Sequence, residues 1–242
     1  FRRVLFRSIF FLKIWYTRFN QLNESEDIKM DILETMKARH SVRQYKNQAI
    51  ESSKREKINA LIKDVNAESK LSIQVFYDEP KCFDSFMAHY GKFENVKNYI
   101  AIVGNKNDQE KAGYYGEKIV LKCQKLGLNT CWVAMTHGKS KAQIKRGQKL
   151  LIIISLGYGE TQGVPHKSKS IAELGQADQK NEWFEKGMEA VSLAPTAVNQ
   201  QKFYFELKNG IVTAKNLGGF YSRIDLGIVK YHFEVVTGHE VK

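Results

Sequence analysis

Apolar positions at helical spacing recur in several segments of the chain from residue 30 onward. The predicted helices cover residues 31–39, 53–65, 114–126 and 183–193, and a last helix follows Asp225. Ser53 and Glu56 are expected to form a capping box, Asp225 to be an N-cap, and Gly127 to close the third helix.

Other segments show the patterns of β-strands. Residues 71–77 alternate between apolar and polar, and residues 99–103 and 150–155 are continuous apolar runs. Residues 130–135 lead out of a helix, and 203–207 is joined to 211–214 by a tight turn at 208–210. The stretch 157–181 is polar and is predicted to be nearly structureless. Mixed helices and strands with a hairpin predict an α+β sandwich.

The order helix, loop, strand, helix occurs twice, which suggests a partial internal duplication. We predict one domain over 30–242, with a first half at 30–160, a linker at 161–180 and a second half at 181–238. Residues 1–29 are interpreted as a leader outside this domain, which resembles a translated sequencing adapter at its first eight residues. Its apolar patch at 9–12 is too short to span a membrane, so no membrane partner is expected.

Charge and cysteine content narrow the function classes. The formal net charge is +12, which suits nucleic acid, an anionic surface or phosphorylated ligands. The lysines are spread over many elements and form no stripe, so no nucleic-acid partner is predicted. Three cysteines without CxxC spacing indicate free, buried thiols in a cytoplasmic protein. No metal-ligand spacing is present, and Gly157–Gly159 lacks the rest of a Rossmann fingerprint.

The segment 39–43 is the first candidate for chemistry. In an extended chain Arg39, Ser41 and Arg43 point the same way. Two guanidinium groups and a hydroxyl on one face suit a phosphate, because arginine offers forked, permanently charged donors. Taken alone, the segment is also compatible with a solvated basic helix end.

Two further segments have features of a ligand site. In 193–201, Pro195 ends a helix, small residues leave room for a flat ligand, and Asn199 can pair with a heterocycle edge. In 126–135, a helix end runs into a strand and leaves backbone amides free to donate. Taken alone, the first is also an ordinary loop, and Trp132 is more typical of a core aromatic.

Together with the basic segment 166–169, these elements resemble the nitroreductase superfamily over residues 30 to about 238. The resemblance implies an α/β sandwich with a mainly antiparallel sheet, bound FMN, NAD(P)H as transient reductant and a small electron-poor acceptor. It places Arg39, Ser41, Lys167 and Lys169 at the phosphate, Arg43 at the flavin N1/O2 edge and the Ala134–Met135 backbone at N5. The full set of implied cofactor contacts is Arg39, His40, Ser41, Arg43, Trp132, Val133, Ala134, Met135, Lys167, Lys169, Pro195, Thr196, Ala197, Asn199 and Gln201.

The position of the Pro195 loop departs from the usual family order. The resemblance implies that ordinary members place this loop soon after the first arginine cluster and build each flavin site from two subunits. In this chain the loop lies in the second half instead. This predicts a monomer that mimics a dimer and holds one FMN, with helix 114–126 packed on the helix after Asp225. A flavin-binding carrier or sensor without turnover remains the alternative function.

Overall fold

The computed structural model describes residues 32–242, so the predicted leader 1–29 lies outside the described residues. The helices are α1 (residues 32–38), α2 (Ser52–Ser69), α3 (Phe86–Tyr90), α4 (Gln109–Lys125), α5 (Ile171–Leu174), α6 (Glu182–Ser192) and α7 (Ser222–Thr237). The strands are β1 (Ser72–Phe76), β2 (Asn98–Gly104), β3 (Asn129–Val133), β4 (Lys149–Gly157), β5 (Gly175–Ala177), β6 (Phe203–Lys208) and β7 (Ile211–Asn216).

The strands form two sheets. One is antiparallel with the order β1-β2-β4-β3, and the other has the order β5-β6-β7 with β5 parallel to β6. Alternate side chains of β2 enter different apolar clusters: Ile100 and Ile102 pack with α2 and α4, while Tyr99 and Ala101 pack with Phe93. Burial on both faces explains why this strand reads as a continuous apolar run. The fold is α+β, with an antiparallel sheet flanked by helices.

α4 and α7 cross at unusually close range. A Cβ at Gly227 would lie 1.9 Å from Glu110 O, and one at Gly113 would lie 2.0 Å from Ile224 O. Only glycine permits that approach, because any side-chain carbon would overlap the facing backbone. The predicted packing of helix 114–126 on the helix after Asp225 is confirmed. This crossing fixes the start of α7 relative to the four-stranded sheet.

Two predicted N-caps are wrong. The N-cap of α2 is Glu51, two residues before the predicted one; Ser53 lies inside the helix, and Glu51 makes no side-chain capping hydrogen bond. The N-cap of α7 is Tyr221 at φ 53°, and Asp225 lies in the first turn. Its carboxylate cannot cap the helix because it accepts hydrogen bonds from another loop, as described below.

The prediction that 157–181 is nearly structureless is also wrong. α5 and β5 lie within this stretch, and β5 forms a parallel pair with β6 from Gly175 to Ala177. Strands pair through backbone groups. A short edge strand such as β5 therefore needs no apolar side-chain pattern from which it could be predicted.

Local backbone geometry confirms other predictions. Gly127 follows the C-cap of α4 at φ +73°, and the 208–210 turn has Asn209 and Gly210 at φ 52° and 73°. The cysteines are free and buried: Cys82, Cys123 and Cys131. Within residues 32–242, no helix combines the length and apolar character that crossing a bilayer requires.

Candidate functional site

A cleft with two lobes lies beside β3 and the start of α7. Each lobe has a volume of about 330 Å³. The first lobe is mainly apolar and includes Trp132, Ala134, Met135, Ala197 and Tyr221; the second is polar and includes Arg39, His40, Val164, His166 and Asn199. Both lobes are lined by Ser41, Arg43, Pro195, Thr196 and Val198. The structure therefore brings the segments 39–43 and 195–199 of one chain to opposite walls of one cleft.

The first wall is extended backbone held on both sides. Val42 N donates to Thr130 O at 3.1 Å, and Glu94 N donates to Arg43 O at 3.0 Å. Val42 is buried, whereas Ser41 and Arg43 line the cleft. The alternation expected for an extended chain thus places Ser41 and Arg43 on the ligand side, and the guanidinium carbon of Arg43 lies 6.0 Å from the centre of the Phe93 ring.

Arg39 is buried but incompletely bonded. Its side chain is 2% exposed, and Nε and Nη1 have no hydrogen-bond partner among the described residues. The nearest carboxylate oxygen is Glu117 Oε1, 3.8 Å from Nε, beyond hydrogen-bonding distance. Burial lowers the pKa of the guanidinium, which nevertheless stays charged. Buried donors without acceptors are costly, so this side chain is suited to receive an anion in the second lobe.

A buried network behind Arg39 was not found from the sequence. Glu117 accepts from Trp132 Nε1 and pairs with His232 Nε2, each at 3.0 Å. Burial acts to raise the pKa of the Glu117 carboxyl, but the hydrogen bond with His232 and the charge of Arg39 outweigh it and lower that pKa. A signal was present, because Glu117 occupies the same helix face as apolar Val120 and Leu121.

Trp132 combines the two roles that its sequence position left open. Its indole nitrogen is tied to Glu117, and a Cβ at Gly116 would lie 2.4 Å from the ring. The ring is thus a core aromatic packed against Gly116 of α4, and Trp132 also lines the first lobe.

The second wall has strained backbone. Val198 and Asn199 have φ values of 47° and 53°, and Val198 is 83% exposed. A β-branched residue at positive φ is sterically unfavourable, and such strain persists where surrounding contacts impose it. Val198 protrudes where the two lobes meet. Strain at this point marks the loop as a candidate ligand clamp.

Asp225 imposes part of that loop conformation. Its Oδ1 accepts from Ala197 N at 2.9 Å, and its Oδ2 accepts from Gln200 Nε2 at 2.7 Å. Burial raises the pKa of the carboxyl to about 6, although both hydrogen bonds oppose the shift. The sequence assigned Asp225 to a helix cap, whereas the structure places it in the first lobe.

The basic segment after β4 contacts the loop mainly through backbone atoms. Asn199 Nδ2 and Gln201 Nε2 both donate to Lys167 O at 2.9 Å, and Lys169 N donates to Gln201 Oε1 at 2.8 Å. Lys167 and Lys169 are exposed, and neither lysine nor Gln201 lines a lobe. Their direct contact with a phosphate remains a prediction.

The remaining predicted residues are divided between cleft and core. Ala134 O accepts from the hydroxyl of Tyr221 at 3.2 Å, and Met135 is 58% exposed beside them. Val133 is 1% exposed and packs in an apolar cluster on the sheet, so the structure does not place it in the cleft. In the second lobe, burial lowers the pKa of both His40 and His166.

Comparison with known proteins identifies the family of this fold. Residues 31–237 match a family model described as "Putative TM nitroreductase". A Thermotoga maritima protein named as a nitroreductase shares 24% identity and a TM-score of 0.62, covering 85% of this chain and 82% of that chain. No curated protein matches the sequence.

Two other solved structures align over a smaller part of the chain. An FMN-dependent nitroreductase from Clostridium difficile has 22% identity and a TM-score of 0.43, covering 58% of this chain and 92% of its own. A Desulfovibrio desulfuricans protein named as a nitroreductase, solved in complex with FMN, has 15% identity and a TM-score of 0.47, covering 59% and 93%. The match to the family model covers most of the chain, and the protein therefore belongs to this nitroreductase family.

Proposed function

We propose that this protein binds FMN and is an oxidoreductase that passes hydride from NADH or NADPH to a small electron-poor acceptor. Membership of a nitroreductase family supports redox chemistry. Bound FMN would supply the capacity to accept and release hydride, while the chain would position the ligands and tune the charge around them.

The observation that carries the proposal is the unsatisfied guanidinium of Arg39. Two buried nitrogens lack acceptors, and no carboxylate lines the second lobe among the described residues. Ser41 and Arg43 add a hydroxyl and a second guanidinium on the same wall. A terminal phosphate fits this donor set because it can accept several charge-assisted hydrogen bonds at once.

The first lobe suits a flat ring system. Trp132, Ala134 and Ala197 give it apolar or small surfaces on both sides. Arg43 lines both lobes, so it can reach the ring edge as well as the phosphate side. A fixed positive charge at a ring edge that gains electron density would favour reduction.

Absorbance spectroscopy and anaerobic reduction test the proposal. The purified protein, or protein mixed with FMN, should show a bound-flavin spectrum that NADH or NADPH bleaches. Addition of a quinone or a nitroaromatic compound should then restore the oxidised spectrum. A protein that binds FMN but is reduced by neither donor would instead be a flavin carrier or sensor, and one that binds no flavin would overturn the proposal.

A further inference from the structure

A third cavity of about 780 Å³ adjoins the first lobe. Phe220 and Tyr221 line both spaces, so the cavity continues the cleft past these two aromatic residues. Its walls come from the start of α4, the start of β4 and the loop that leads into α7. The residues that line it are Gln109, Lys149, Leu150, Leu151, Asn216 and Gly218–Arg223.

This cavity contains cations but no acid. Lys149 and Arg223 are exposed, and neither has an ion pair or side-chain hydrogen bond within residues 32–242. Lysines elsewhere on the surface, such as Lys118 and Lys215, are paired with glutamates. Two unpaired cations in one concave space create a positive potential that is available to an anionic ligand.

The other walls offer groups suited to an aromatic heterocycle. Phe220 is 41% exposed and presents an apolar ring at the junction with the first lobe. The side-chain amide of Gln109 supplies a donor and an acceptor at the wall, and Asn216 supplies an amide donor while its Oδ1 accepts from Gly218 N at 2.7 Å. Cations, an exposed aromatic ring and amides together match the chemistry of a nucleotide.

We propose that this cavity, which we call the Lys149/Arg223 pocket, binds the adenosine-phosphate half of the nicotinamide donor. The inference rests on the proposed function, because it assumes that nicotinamide reaches a flavin in the first lobe. The rest of such a donor carries phosphates and adenine, and the pocket next to that lobe has the charge and volume to hold them.

Equilibrium binding of ADP-ribose to the FMN-loaded protein tests the pocket without turnover. ADP-ribose contains the phosphates and adenosine of the donor but no nicotinamide. The variant Lys149→Ala/Arg223→Ala should bind it about 10-fold more weakly or worse, because two charged donors are lost. The control Lys57→Ala/Lys63→Ala removes the same charge from exposed positions on α2 that line none of these cavities, and it should change the Kd less than about 2-fold.

Reduction kinetics provide the second readout. In the Lys149→Ala/Arg223→Ala variant, KM should rise for NADH and NADPH and stay unchanged for reduced nicotinamide mononucleotide, which lacks the adenosine half. An equal rise for all three donors would overturn the proposal, since the charges would then act on the flavin or the fold. If no donor reduces the wild-type protein, the proposed function fails, whereas ADP-ribose binding still decides whether the pocket recognises a nucleotide.

Inorganic pyrophosphate separates nucleotide recognition from simple anion binding. Wild-type protein should bind ADP-ribose at least about 10-fold more tightly than pyrophosphate, because only the nucleotide can stack on Phe220 and pair with the amides. Equal affinities would overturn the assignment of the adenosine half to this pocket, as would ADP-ribose binding that is identical in wild type and the Lys149→Ala/Arg223→Ala variant.

Discussion

Glu117 Oε1 lies 3.8 Å from Arg39 Nε, and both side chains are buried within the described fold. The same carboxylate oxygen lies 3.0 Å from His232 Nε2, while His232 Nδ1 lies 2.8 Å from Ala190 O. One buried carboxylate therefore contacts both a buried guanidinium and a buried imidazole.

Glu117→Gln should destabilise the protein strongly. It removes the only carboxylate that contacts Arg39 and His232 among the described residues, and it leaves the buried Arg39 guanidinium without a counter-charge. Breaking a buried ion pair in this way typically costs about 3–5 kcal/mol of unfolding free energy. Urea unfolding of the flavin-free protein measures it, with the exposed Glu56→Gln as the matched control. A loss below about 1 kcal/mol would show that Glu117 is not the counter-ion of Arg39.

Arg39→Ala should weaken FMN much more than riboflavin. Hydrogen bonds to charged groups contribute about 1.5–3 kcal/mol each, so losing the guanidinium should raise the Kd for FMN about 10- to 100-fold. Riboflavin lacks the phosphate and serves as the internal control. Fluorescence titration of both flavins measures the difference. Parallel weakening would mean that Arg39 only supports the fold, and equal wild-type affinities for both flavins would contradict a phosphate site.

Arg43→Ala should slow flavin reduction more than it weakens FMN binding. The Arg43 side chain lines both lobes, so its charge can act on the ring edge when electron density rises there. Losing one donor of this kind typically lowers a rate about 10²-fold. Stopped-flow reduction by NADH at saturating FMN measures the rate, and Arg43→Lys should recover part of it. An unchanged rate in Arg43→Ala would rule out this role.

Ionisation of Asp225 should lower the free energy of unfolding as pH rises from about 4 to about 6. Burial raises the pKa of its carboxyl from 3.8 to about 6, so in this range the folded protein binds the proton that the unfolded chain releases. The shift corresponds to about 3 kcal/mol at most. Urea unfolding at several pH values should show this fall relative to Asp225→Asn, and parallel profiles would contradict it.

We expect a monomer with one FMN per chain. Both walls of the cleft come from the same chain, and α4 packs closely on α7 within that chain through Gly113 and Gly227. Light scattering combined with flavin quantification measures mass and stoichiometry together. A tight dimer that releases FMN when diluted to monomers would show that the site is shared between chains.

The crossing of α4 and α7 can be tested separately. Gly227→Ala places a Cβ 1.9 Å from Glu110 O, so the helices must separate. Overpacking of this kind typically costs about 1–3 kcal/mol of unfolding free energy, whereas the exposed Lys63→Ala should stay within about 0.5 kcal/mol. Thermal unfolding compares the two variants, and equal stabilities would indicate that the crossing relaxes freely.

Elements with a strong apolar period were predictable from the sequence, whereas features set by tertiary contacts were not. The sequence predicts β2 because a strand buried on both faces is a continuous apolar run, and it predicts the end of α4 because glycine readily adopts positive φ. It does not predict β5, because β5 is held by backbone pairing with β6 and has no apolar pattern. The sequence pattern predicts that Asp225 caps a helix, whereas its carboxylate accepts hydrogen bonds from Ala197 N and Gln200 Nε2.

The candidate site shows the same division. Ser41 and Arg43 could be placed together because extended backbone alternates. The loop on the opposite wall, residues 195–199, could be assigned to the site only because it resembles a loop of the nitroreductase superfamily. His232 could not be linked to Glu117 because they are 115 residues apart in sequence. A polar residue on an otherwise apolar helix face, such as Glu117 on α4, indicates from the sequence that a buried polar network exists. It does not show which residues complete that network.

The presence of both cleft walls on one chain has a consequence for how this site forms. The segments 39–43 and 195–199 meet when this single chain folds. The rate at which the two walls come together is therefore set by folding of the chain and does not depend on protein concentration.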